Sequence, residues 1–135
     1  MTNTHINVGG HKITVNKRDK LWENPSPNSA FAEQDITIPN DTDYDELWWC
    51  FKGYSNYTNV VSFVTITQPR FQQSSVTWTG YSSNKWYIWS RQLTGNSVNN
   101  TYTIRAGSQV DNGAGAGGGE HNNRLIPLYV LGVKY

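Results

Sequence analysis

The final stretch, Arg-Leu-Ile-Pro-Leu-Tyr-Val-Leu-Gly-Val-Lys-Tyr over residues 124–135, constrains this chain more than any other. Read with the two-residue period of a strand, Leu125, Pro127, Tyr129, Leu131 and Val133 fall on one face. Ile126, Leu128, Val130 and Gly132 fall on the other. An antiparallel strand with one wet face alternates apolar with polar residues; this one has no polar face and needs cover on both sides. One cover is the core of its own domain. The expectation is that a neighbouring subunit supplies the other.

The rest of the chain reads as shorter strands between turn signals. Residues 3–16 form a hairpin around Gly9-Gly10, a pair that supplies the positive φ of a tight turn. Lys17-Arg18-Asp19-Lys20 is read as a solvated charge cluster, which makes residues 1–20 an arm and residues 21–135 the main domain. Asn24-Pro25-Ser26-Pro27 is a loop, because proline removes ladder donors and restricts the residue before it. Strands are expected over Gln34–Ile38, Tyr44–Tyr54 (long, apolar and so central), Val60–Thr67, Val76–Tyr81, Lys85–Arg91 and Thr101–Arg105. Ser82-Ser83-Asn84 turns one hairpin, and Gly107–Asn123 is a Gly-rich loop. No useful window shows the 3.6-residue period of a helix, and about nine strand candidates recur at sandwich-like spacing. The predicted fold class is an all-β, antiparallel, jelly-roll-like β-sandwich, a single domain in 135 residues.

Charge excludes several partners. The formal net charge is +1 with 16% charged residues, so no basic field draws nucleic acid or an anionic membrane. No run approaches the roughly 18 apolar residues of a membrane helix, and no membrane insertion is expected. The first residues, Met-Thr-Asn-Thr-His, carry no basic segment and apolar run, so no secretory signal is read and synthesis in the cytoplasm is expected. The one cysteine, Cys50, sits in an apolar run and reads as a small buried hydrophobe.

Catalytic patterns are missing. His5 and His11 are expected to face each other across the Gly9-Gly10 turn, but two histidines without a third ligand make a poor metal site. Asp111, Glu120 and His121 do not follow the spacing of a calcium loop. The Gly-rich loop lacks the Gly-Lys-Ser/Thr of a phosphate cradle, and Asp41, Asp43, Asp45 and Glu46 are explained by a turn followed by a strand start. The reading is therefore non-enzymatic, with no cofactor and no metal.

Aromatic side chains are the remaining source of function. The chain has six tryptophans and eight tyrosines among many Asn, Ser, Thr and Gly residues. A rigid ring gives the C–H face of a sugar a flat apolar platform, and amide or guanidinium groups beside it bind hydroxyls. In the strand 85–91, Lys85, Tyr87, Trp89 and Arg91 share a face read as half exposed, opposite Trp86, Ile88 and Ser90. The candidate ligand-binding residues are Tyr54, Tyr57, Trp78, Tyr81, Asn84, Tyr87, Trp89 and Arg91.

Two blocks carry a family likeness. Leu21-Trp22-Glu23-Asn24-Pro25-Ser26-Pro27-Asn28-Ser29-Ala30-Phe31-Ala32, continued by Gln34–Ile38 and Tyr44-Asp45-Glu46-Leu47, resembles the opening of C-terminal domains in tail fibre and minor structural proteins of phages and prophages. Asn122–Lys134 is similar to the strand that ends those domains. The segment between, Tyr54–Gly119, matches neither block. The resemblance implies a tail fibre tip in a virion, a homotrimer, and a bacterial surface receptor, expected to be a glycan. It carries over no binding residue. A monomeric carbohydrate-binding module and a ligand-free structural cap remain the alternatives.

Overall fold

Period-two patterning becomes two stacked antiparallel sheets. The computed structural model describes residues 4–15, 17–56, 62–112 and 121–135, and of residues 4–8 and 11–15 the backbone. The strands are β1 (Thr4–Val8), β2 (His11–Val15), β3 (Lys17–Glu23), β4 (Gln34–Thr37), β5 (Glu46–Tyr54), β6 (Ser62–Thr67), β7 (Gln73–Ser82), β8 (Lys85–Thr94), β9 (Thr101–Asp111) and β10 (Arg124–Lys134). One sheet has the order β3-β10-β5-β6 and the other β4-β9-β8-β7. Pairing the first strand of the sandwich with its last, and the second with its second-last, is the winding of a roll. The roll stops there, because β5 pairs with β6 and β7 with β8 as sequence neighbours.

The first hairpin forms a two-stranded sheet of its own, turned at Gly9 (φ 55°) and Gly10 (φ 83°). Its register opposes His5 to Thr14 and His11 to Val8, so the expected His5–His11 pairing does not occur. Lys17-Arg18-Asp19-Lys20 is not a solvated spacer either. It opens β3 and pairs with Leu131–Lys134, so the sandwich takes in residues assigned above to the arm. The Gly-rich loop is also shorter than expected, since β9 runs on through Gly107 to Asp111. The expected strand start at Val60 and the ligand candidate Tyr57 lie outside the described residues.

Facing residues of the two sheets make the core. Leu47, Trp49 and Phe51 of β5 meet Val76, Trp89, Leu93, Tyr102 and Ile104 of the opposite sheet. Each such side chain contributes about 1.5–3 kcal/mol by leaving water. Trp49 donates Nε1–H to Thr67 Oγ1 at 2.9 Å, which satisfies its polar edge inside the core. One end of the sandwich is closed by Asp41, wholly buried. It accepts two hydrogen bonds from the Arg70 guanidinium (2.8 and 3.1 Å) and one from the Tyr102 hydroxyl (2.7 Å).

β10 lies in the middle of its sheet, between β3 and β5. Ile126 and Val130 belong to the core. Bulges at Pro127/Tyr129 and at Val130/Leu131 break the simple alternation expected above. The other face sets Tyr129 beside Cys50 and Leu131 beside Trp48. Cys50 is buried there as expected, and that burial pushes its thiol up. Arg18 lies 4.5 Å over the Trp48 ring and Lys20 5.6 Å over the Tyr129 ring, so the long stems of β3 roof part of this face. On β6 the roof is missing: Val64 and Ile66 are 49% and 51% exposed. The chain by itself covers the second face of this sheet incompletely.

Candidate functional site

At the end of the sandwich opposite Asp41, the inner faces of the sheets splay into a cleft of about 510 Å³. The register of β7 and β8 builds it. Trp78 lies opposite Trp89, and Gly80 opposite Tyr87, all on the inward face. Two small residues let the rings lie flat. A Cβ on Gly53 of β5 would come within 2.7 Å of the Trp78 ring, and one on Gly80 within 2.7 Å of the Trp89 ring. Trp78 and Trp89 have centroids 4.8 Å apart, and Tyr87 stacks on Trp89 at 5.6 Å with 7° between the planes.

Arg124, at the start of β10, enters this cleft from the other sheet. Its guanidinium lies over three rings: 4.4 Å from the Trp89 centroid, 4.5 Å from Tyr54 and 5.6 Å from Trp78. Among the described residues it makes no ion pair and donates no hydrogen bond. On the opposite wall, Trp89 donates Nε1–H to Gln109 Oε1 at 2.6 Å. That contact uses the amide oxygen and leaves the NH₂ of Gln109 for a ligand.

Of the expected ligand residues, Trp78, Tyr81, Tyr87 and Trp89 line this one cleft. Tyr54 borders it through Arg124. Asn84 sits at its rim in the β7–β8 turn, where Ser83 (φ 52°) and Asn84 (φ 61°) form a two-residue connection. The Tyr81 hydroxyl reaches Asn84 Oδ1 at 3.5 Å.

Two expectations are overturned. The face of β8 read as half exposed is the inward one: Trp89 is 8% exposed and Arg91 0%. The opposite face, that of Trp86, Ile88 and Ser90, points outward, and Trp86 is 58% exposed. Arg91 therefore cannot touch a ligand. Its guanidinium spends all five N–H donors on main-chain carbonyls, those of Phe31, Arg105, Asn122, Arg124 and Leu125, at 2.8–3.2 Å. Burial pulls its pKa down to about 10, which still leaves it charged at neutral pH. It holds Arg124 and Leu125 where they are; Leu125 has a left-handed backbone (φ 48°).

Sequence reasoning missed Arg124 and Gln109. Arg124 had one local sign, a lone charge opening an otherwise apolar strand. Gln109 had another, since Ser108 and Val110 alternate with Gln109 and Asp111 beyond Gly107. Among the described residues no three His, Cys, Asp or Glu side chains gather as metal ligands would. What the cleft offers is flat apolar surface, amide and hydroxyl groups, and one cation. No family model, no curated protein and no solved structure matches this chain.

Proposed function

We propose that this chain is a non-enzymatic receptor-binding head of a phage tail fibre, homotrimeric, and that it binds a glycan on the bacterial surface in the cleft between its sheets. The observation that carries the reading is the cleft itself, where Trp78, Tyr87 and Tyr81 lie beside Gln109 and Arg124 in about 510 Å³. That volume suits one or two sugar units, and its mix of rings with a few polar groups is what a small-ligand site requires. The placing of the head on a tail fibre draws on the likeness of residues 21–32, 34–38, 44–47 and 122–134 to such domains. The trimer draws on the incompletely covered second face of the β10 sheet. Single sites of this kind are shallow, and adhesion comes from several acting together.

The test is adsorption of a fluorescent fusion of the chain to a panel of bacteria. Saturable binding to some strains, abolished when periodate oxidises the cell-surface sugars and reduced by Tyr87→Ala, is expected. Binding that survives periodate, or no binding to any strain, removes the glycan reading.

A further inference from the structure

The geometry points to an anionic saccharide as the ligand: a sugar whose carboxylate or phosphate is taken by Arg124. The inference rests on the glycan reading above and narrows it. Arg124 is the one charged residue in the described lining of the cleft. Stacking explains how a guanidinium sits among rings without an ion pair, because the ring faces attract its cationic plane. A ring is no conventional hydrogen-bond acceptor, so these contacts do not use up the N–H donors. The N–H donors lie in the plane and point outward along the edges, in the fork that matches a carboxylate or a phosphate.

The position of that fork is set from behind. Arg91 grips the main-chain carbonyls of Arg124 and Leu125 at 2.9 and 2.8 Å, and the rings of Tyr54 and Trp89 hold the side chain. A charge held in this way loses little further freedom when a ligand arrives. A neutral sugar would offer it hydroxyl oxygens alone, without the charge-assisted bidentate pair, so the cleft favours a charged ring over an uncharged one. Arg91 is a positioning residue here and Arg124 the binding one.

The experiment follows the Arg124 Nε–H and Trp89 Nε1–H signals by ¹H–¹⁵N NMR. Glucose, glucuronate and glucose 6-phosphate are titrated at matched ionic strength. Glucuronate or glucose 6-phosphate is expected to shift both signals and to bind at least about tenfold more tightly than glucose, as a charge-assisted hydrogen bond implies. Which of the two binds better separates a carboxylate-bearing from a phosphate-bearing receptor. Arg124→Gln is expected to erase the difference between charged and neutral sugars. Arg124→Lys, which keeps the charge without the planar fork, is expected to lose most of it and gives the same reading where the Gln variant does not fold. Equal affinity for glucose and both acids overturns the inference and leaves the glycan reading intact. Silence of the Arg124 signal with all three sugars also overturns it, and the periodate experiment then decides the glycan reading separately.

Discussion

Arg91 donates to the main-chain carbonyl of Arg124 at 2.9 Å, so one wholly buried arginine sets the place of another that faces the cleft. The two have opposite environments. The first is saturated by five carbonyls, and the second lies over aromatic rings. Arg91→Met should therefore remove five hydrogen bonds to main-chain carbonyls and destabilise the fold by about 3–5 kcal/mol in urea unfolding. Arg91→Lys, with three donors in place of five, should fall between that variant and the parent.

Gly53→Ala should push the Trp78 ring out of the cleft, since the added methyl would sit 2.7 Å from it. The expected cost is about 1–3 kcal/mol in stability, with a changed near-ultraviolet circular dichroism and weaker cell adsorption. Val98→Ala is the matching control. That side chain is 82% exposed between β8 and β9, so stability should change by less than about 0.5 kcal/mol and adsorption should persist.

Stability should fall at low pH through Asp41. Burial alone would raise its pKa, but the hydrogen bonds from Arg70 and Tyr102 outweigh burial and hold the carboxyl below its ordinary value. A carboxyl lowered in the folded state stabilises the protein above its unfolded value, about 3.9, and that contribution disappears as pH falls through the lower folded value. Urea unfolding from pH 6 to pH 2 should show this loss in the parent and a flatter profile in Asp41→Asn. Tyr102 acts at the other extreme. Burial and Asp41 push its hydroxyl up to about 12, so the stability it contributes is complete below pH 10 and is lost as pH rises through that value.

The proposed homotrimer should scatter light as three times the mass of one chain. Ile66→Glu, at a side chain 51% exposed, should then leave a monomer that keeps its far-ultraviolet spectrum. A trimer unaffected by that change would move the interface away from the outer face of β5 and β6.

Local signals carried most of the fold. Gly9-Gly10 announced its hairpin because a two-residue turn demands positive φ, Ser82-Ser83-Asn84 announced another as a short run of turn residues, and the apolar length of β5 announced a central strand. The faces of β8 were read inverted for a physical reason. Lys85 and Arg91 made one side look wet, yet the Arg91 charge is solvated by carbonyls drawn from β9, β10 and two loops far away in sequence. No local pattern encodes such a cage. The cleft was legible in part, because its rings cluster between Trp78 and Trp89. Its cation comes from the other sheet, and only the cross-sheet packing brings Arg124 to them.

The middle plank of one sheet, β10, follows every other sandwich strand in the chain. As the chain leaves a ribosome, β3 and β5 emerge long before the strand that must lie between them, and they wait as two exposed edges with a vacancy one strand wide. Folding is therefore expected to be late, slow and all at once, and any truncation that removes β10 should leave a sticky, incomplete chain rather than a smaller sandwich.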